Sequence, residues 1–369
     1  MTIWDWQNEK IEKAVRNLFK QNLCAQKEEK ILILSDTLKE RIGEIFFNFG
    51  LNYVNNLKHV TYPPTGRHGL EPPEIVWTAT FGREFTNELK SKELFEKVKN
   101  KEITENDEEE IKEILLETTS PNELPSAIVA VNQHSISHTI FRKLCTEFLS
   151  IRFASMPLFE PFMFNTAFQA NWEKVEKLSR KIAELLTQAE EVEITCPNGT
   201  AITMSLKDRE GLADTGRLCK PGDFGNLPAG EAFIAPVEGT AEGVFVTFYA
   251  PDRKLKEPVK ITVEGGKVVK AEGEEEFSSY INQLIHREKN ADNIAELGIG
   301  TNEKAVTRTN ILEAEKILGT CHIAIGDNSA FGGKVKANVH IDMLIEEPTV
   351  ILKVNKKKVT LMENGNLNV

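Results

Sequence analysis

The stretch Val339-His340-Ile341-Asp342-Met343 places an imidazole and a carboxylate two residues apart in a run of strand character. Side chains alternate along a strand, so His340 and Asp342 share one face of it. Such a pair can ligate a divalent metal or simply hydrogen-bond, and the pair alone leaves both readings open. Upstream, His322 lies in the apolar strand pattern Cys321-His322-Ile323-Ala324-Ile325. A lone histidine there is more often a satisfied core residue than a ligand. Glu313 and Glu315 stand in "NILEAEKI", Glu296 in "IAELGIGTN", and Glu231 opens a strand behind Pro228-Ala229-Gly230. Each glutamate alone is bland. Together with His322, His340 and Asp342 they form the mixed nitrogen and oxygen set that suits one or two borderline divalent ions. A carboxylate not committed to metal could carry a proton from water to a leaving group. Glu296 and Glu315 are the candidates, and the sequence does not separate them.

Other motifs compete less well. His134 and His138 in "NQHSISHT" have the helical i, i+4 spacing of metalloprotease histidines, but Ser135 stands where that motif has its glutamate base. Ser135 or Ser137 reads instead as the cap of a following helix. "RLCKPGDFGNLP" lacks the ending of a phosphate-binding loop. Cys219 and Cys321 read as small buried side chains rather than catalytic thiols. The acidic runs "ENDEEEIKE" and "EGEEEF" read as solvated faces.

The elements that must position these residues fall into two halves. Apolar residues at helical spacing (Ile11, Ala14, Val15, Leu18, Phe19) are followed by the short strand "KILILSDT" and the helix "LKERIGEIFFNFG". "EIVWTAT" reads as a strand, a charged helix-rich insertion follows, and "SAIVAVNQ" and "LSIRFASM" read as further strands. Trp172 to Glu191 is a long amphipathic helix. Alternating strands and helices predict an α/β N-terminal domain, residues 1–190, with a mainly parallel sheet. Beyond it "EVEITCPNGTAITMSL", "EAFIAPVEGTAEGVFVTFYA", "VKITVEGGKVVKAEG" and "TVILKVNKKKVTLM" have hairpin texture. Residues 191–369 are thus expected to be a β-rich α+β domain that carries the metal site.

Acidic residues outnumber basic ones, 56 to 45, with no basic stripe, which argues against nucleic acid as a partner. The N-terminus "MTIWDWQNEKIEKAVRNLF" has no signal-peptide pattern, and no apolar run approaches the ~20 residues of a membrane span. Five cysteines, an odd number without CxxC spacing, suit a reducing compartment. A cytoplasmic protein is the expectation.

Four segments in order, "GNLPAGEAFIAPVEG", "AELGIGTN", "ILEAEKILGTCHIAIGDN" and "VHIDMLI", resemble the aminopeptidase T family of metallo-aminopeptidases. The resemblance is good over about residues 150–369 and weak before them. It implies two divalent ions (zinc, cobalt or manganese), removal of N-terminal residues from a peptide substrate, and a homodimer. It makes Glu231, Glu296, His322, His340 and Asp342 metal ligands and Glu315 a further ligand or a catalytic carboxylate. Two departures stand out. In better-known members the carboxylate matched by Glu296 follows a Leu-Gly pair, whereas Glu296 precedes Leu297-Gly298. Those members also carry a tyrosine shortly after the histidine matched by His322, where this chain has Ser329 and Phe331. The absent tyrosine and the different N-terminal half support the alternative, a relative that keeps the metal site but hydrolyses another amide or serves as a binding or scaffold protein.

Overall fold

In the computed structural model, which describes residues 8–369, strands form where apolar runs can be buried on both faces or on one. The first seven residues of the stretch read for a signal peptide lie outside the described residues. Strands β1 (Lys30–Asp36), β2 (Asn56–Tyr62), β3 (Ala127–Val131) and β4 (Arg152–Ser155) make a parallel sheet in the order β2-β1-β3-β4, with Phe224–Asn226 added at the β4 edge. All of β3 is buried, as expected for a parallel strand covered on both faces. Helices connect the strands, among them Glu40–Gly50 between β1 and β2, and Leu94–Asn100 and Glu105–Thr118 in the charged insertion.

One strand assignment is overturned. Residues Glu74–Phe81, read as a strand from "EIVWTAT", are a helix. Pro73 fixes an extended residue at its N-cap, and Val76, Trp77, Thr80 and Phe81 bury one helical face. Burial of that face outweighs the strand preference of Ile, Val, Trp and Thr. The helix expected from Ser137 begins instead at Ile140, where the Thr139 hydroxyl accepts the Arg142 N–H at 3.1 Å.

The chain divides into two compact units, Met1–Gln169 with Arg217–Leu227, and Ala170–Gly216 with Pro228–Val369. The long helix α1 (Trp172–Gln188) thus belongs to the second unit, upstream of the junction expected at residue 190. A disulfide between Cys24 and Cys219 ties the returning segment into the first unit. The expectation that Cys219 is a free buried thiol is therefore corrected. Cys145, Cys196 and Cys321 are free. Among the described residues no helix is long and apolar enough to cross a membrane.

The second unit is built from two antiparallel sheets. One has eight strands and contains three of the expected hairpins, Ala189–Thr195 with Ala201–Ser205, Arg253–Glu264 with Lys267–Gly273, and Thr349–Val354 with Lys357–Glu363. The last turns at Asn355-Lys356, both at positive φ, the geometry of a tight hairpin turn. The other sheet has five strands, β5 (Leu212–Asp214), β6 (Glu231–Ile234), β7 (Ile294–Gly300), β8 (Thr320–Gly326) and β9 (His340–Glu346), in the order β9-β8-β7-β6-β5. The hairpin expected in "EAFIAPVEGTAEGVFVTFYA" does not form, because β6 joins the five-stranded sheet and Glu242–Ala250 the eight-stranded one. Ala232, Ile234, Leu297, Ile299, Cys321, Ile323, Ile325, Ile341, Met343 and Ile345 turn one face of the small sheet into a core shared with Val192, Ile194, Phe245, Ile261, Val350 and Leu352 of the larger one. Fully burying a side chain of this kind contributes about 1.5–3 kcal/mol. That packed face holds the register of the opposite, polar face.

Candidate metal centre

On the opposite face the alternation delivers the charged residues. Asp214 on β5 pairs with Glu231 on β6, and Glu231 with Gly300 on β7. Glu296 on β7 lies opposite Ala324 on β8, which lies opposite Asp342 on β9. His322 lies between Gly298 and Leu344, and His340 opposite Gly326. The apolar look of the segment around His322 is thereby explained. Cys321, Ile323 and Ile325 face the core, while His322 and the small Ala324 face the site.

Small residues make room for the ligands. A Cβ at Gly298 would lie 2.1 Å from two atoms of the His322 ring. The unusual order Glu296-Leu297-Gly298 therefore has a steric sense: carboxylate and glycine share a face two residues apart, one in the cluster and one beneath the imidazole. Gly230 has φ +126, and a Cβ there would meet the Asn302 Cβ at 2.7 Å, so glycine is required immediately before Glu231.

The six residues expected to form the site converge. Nε2 of His322 is 3.4 Å from Glu231 Oε2 and 3.4 Å from Glu296 Oε1. Nε2 of His340 is 3.3 Å from Glu296 Oε2 and 3.4 Å from Asp342 Oδ1. Glu296 thus directs one oxygen at each histidine. The Nδ1–H of His340 donates to the Asp327 carbonyl at 2.8 Å. A carbonyl only accepts, so in the neutral ring this bond leaves the Nε2 lone pair aimed at the carboxylates. Three overlapping groups bring ligand atoms within 4.8 Å of one another: Glu231, Glu296 and His322; Glu296, His340 and Asp342; Glu315, His322 and Asp342. Glu231 Oε2 is buried without a hydrogen-bond partner, as suits an atom reserved for a cation. This donor set fits a divalent ion of the zinc, cobalt or manganese kind.

Sequence reasoning missed two members. The Lys316 side chain is fully buried beside Glu315, and its Nζ lies 2.5 Å from Glu231 Oε1, 2.7 Å from Glu315 Oε1 and 3.4 Å from Asp214 Oδ2. Lys316 follows Glu315, which closes the short helix α2 (Ile311–Ala314). In "ILEAEKILG" it reads as an ordinary surface lysine, and only its position beside a candidate ligand could have marked it. Glu313, the other carboxylate of that segment, accepts the backbone N–H groups of Val306 and Thr307 at 2.8 and 3.1 Å and fixes a loop.

The cluster calls for positive charge. Burial pushes Glu231 up to about 8, with Glu315 and Glu296 adding to the shift against the opposing pull of Lys316. Burial also lifts Glu315, again against Lys316. Burial opposes a proton on His322, yet its contacts with Glu296, Glu231 and Asp342 raise it to about 9. For Glu296 burial opposes ionisation, but the bonds to His322 and His340 hold its carboxyl below the usual range. Burial keeps the Cys321 thiol protonated, which removes it as a nucleophile. His134 and His138 stand outside this cluster. His134 packs edge-on against His68 at 5.3 Å, ahead of the helix that Thr139 caps.

Residues 86–367 match the family described as thermophilic metalloprotease (M29). The chain belongs to that family. As an M29 member it is a metal-dependent protease, a hydrolase. No curated relative matches it. Among the solved structures that match it, two share its fold over nearly the whole chain. Aminopeptidase T (AmpT) of Thermus thermophilus aligns at TM-score 0.59 and 15% identity, covering 98% of this chain and 99% of that one. The 2,5-dihydroxypyridine dioxygenase of Pseudomonas putida aligns at TM-score 0.66 and 16% identity, covering 97% and 96%.

Where the resemblance leads one to look for a tyrosine, this M29 chain has Phe331, whose ring stands edge-on to His340 at 5.8 Å and to Phe233 at 5.6 Å. Its loop is held by the buried Asn328, which donates to Glu238 at 3.1 Å and accepts the Val335 N–H at 2.9 Å. Gly333 closes onto that amide with no space for a side chain.

Proposed function

We propose that peptide hydrolysis by this M29 chain takes place at the cluster on the five-stranded sheet, with two divalent ions (zinc, cobalt or manganese) held by Glu231, Glu296, His322, His340 and Asp342. The observation that carries the proposal is Glu296, with one oxygen toward each histidine. An imidazole nitrogen ligates a single ion, so His322 would serve one of its two groups at a time, whereas Glu296 and Asp342 are each shared by two groups and could join them. Charge agrees. With the ions bound and all five carboxyls ionised, Asp214, Glu231, Glu296, Glu315 and Asp342 would carry five negative charges, which Lys316 and two divalent ions would match.

Bound divalent ions supply Lewis acidity and lower the pKa of water held beside them. The chain's own residues do the rest. The Asp327 carbonyl sets the His340 tautomer. Glu315 has one oxygen tied to Lys316 and an affinity for protons raised by burial, so it suits carrying a proton from water to the leaving amine. Phe331 and Phe233 give the site an apolar wall suited to a peptide side chain. A homodimer belongs to the same reading, and so does a cytoplasmic location, for which the Cys24–Cys219 bridge removes the support that the cysteines gave.

The test is metal content paired with activity. The apo-protein is reconstituted with zinc, cobalt and manganese and assayed on unblocked and N-acetylated leucyl peptides. About two ions per chain and cleavage of only the unblocked peptide is the expected result, with His340→Ala losing metal. Sedimentation of the same sample tests the dimer. A second reading, hydrolysis of an amide other than a peptide, is favoured by Phe331, which offers no hydroxyl where the resemblance implies a tyrosine. Simple acyl amides, assayed beside the dipeptides, distinguish it.

A further inference from the structure

Lys316 Nζ sits among three carboxylate oxygens, from Glu231, Glu315 and Asp214, at 2.5, 2.7 and 3.4 Å. Its side chain has no exposed surface, and its neighbours Glu231 and Glu315 are themselves almost fully buried. Three anionic oxygens converging on one buried point are what a cation site presents. Here the point is filled by an ammonium attached to the chain. A surface ion pair would bring one carboxylate to a lysine and leave the rest to water. Three carboxylates in a dry pocket would repel one another strongly without a cation between them.

We propose that Lys316 is a tethered cation that permanently fills a third, carboxylate-lined ion position adjoining the metal centre. The inference rests on the metal centre proposed above. It has two consequences for that centre. Glu231 keeps Oε1 on Lys316 and turns Oε2, the unpartnered atom, toward His322. Glu315 likewise has one oxygen occupied, so it is held short of full commitment as a ligand and left for proton transfer. Lys316 is thus a positioning residue: it touches the ligands and acts through them.

If the position is a cation site, an ion from solution should replace the lost ammonium. Lys316→Ala opens the space, and Lys316→Met fills it with an uncharged chain of similar length. Metal content is measured at neutral pH by elemental analysis after equilibration with zinc or manganese, and thermal unfolding is followed in metal-free buffer and with each ion. The expected result is one more equivalent of metal per chain in Lys316→Ala than in wild type, and none extra in Lys316→Met. The Tm of Lys316→Ala should fall by about 10 °C in metal-free buffer and recover with added ion. An Ala variant with the wild-type metal count, or one that stays unfolded in every ion while the Met variant folds, overturns the proposal. Wild-type protein that binds no metal and cleaves no peptide would instead sink the proposed function, while the difference between the Ala and Met variants would still report on position 316.

Discussion

Gly298 offers the sharpest perturbation of the centre. The three atoms nearest a Cβ at this position all belong to the His322 ring, two of them at 2.1 Å. Gly298→Ala therefore obliges the imidazole to retreat by about 1.3 Å to reach the 3.4 Å of ordinary contact. A metal–nitrogen bond of about 2.0–2.1 Å tolerates roughly 0.2 Å of misplacement, so the ligand is lost rather than strained. The loss in metal affinity should exceed the roughly 10–100-fold that follows removal of an outer partner. Overpacking should cost about 1–3 kcal/mol of stability. The control is His322→Ala, where the obstruction is gone. In that background Gly298→Ala should be neutral or stabilise by about 0.4–1 kcal/mol, because the alanine restricts the unfolded chain. Metal titration by calorimetry and thermal melts of the four proteins give the coupling between the two positions. If Gly298→Ala binds metal as wild type does, or destabilises equally with and without the His322 ring, the imidazole does not lie over position 298 and the register argument for the site fails.

Two other predictions concern the first unit. Cys24→Ser removes the bridge to Cys219 and should lower stability by about 2–4 kcal/mol, with wild type losing the same amount under reductant; chemical denaturation with and without reductant checks both, and equal midpoints would refute the bridge. Glu71 accepts the Ile140 and Phe141 N–H groups at 2.6 and 3.2 Å, yet burial lifts its carboxyl to about 7, against the lowering by those two bonds. A carboxyl that binds its proton more tightly when folded stabilises the fold least when ionised, so its penalty is absent below about 4.5 and complete above about 7. Because Glu71 is only half-buried at its surface, the penalty is discounted to about 1–2 kcal/mol. Glu71→Gln should therefore gain on wild type as pH rises from 5 to 8, and a Tm difference that does not change with pH refutes this.

Much of the site was legible because it is built on strands. His340 and Asp342 at i, i+2 reach one ion group together, as alternation requires. The expected ligands Glu231, Glu296 and His322 meet although they come from separate strands, because the motifs that carry them are tied to strand starts and glycines. What escaped was of two kinds. Lys316 and Asp214 are charged residues whose role comes from being buried together, and periodicity does not report burial of a lone charge. Residues 74–81 misled because an eight-residue helix between Pro73 and Gly82 buries the same residue types as a strand. The lost hairpin at β6 misled for a different reason: local alternation defines a strand but not its partner, and the choice between two sheets is made by long-range packing.

The same alternation explains why this centre and the core beneath it are one constraint. A one-residue slip of β8 against β7 would turn His322 into the sandwich and bring Ile323 out among carboxylates. The slip is opposed on both faces. Inside, Cys321, Ile323 and Ile325 would lose their packing, and outside, Glu296 and Asp342 would lose the small Ala324 between them. Rigidity of the ligands is thus supplied by the apolar face, on the side of the sheet away from them. Ala324→Leu, on the polar face, should disturb the ligand carboxylates. Ile323→Ala, in the core, should lower stability and slacken His322 together. A centre built this way does not depend on loops to set its ligand spacing, except at His340, whose tautomer is set by the Asp327 carbonyl at the start of the loop that carries Phe331.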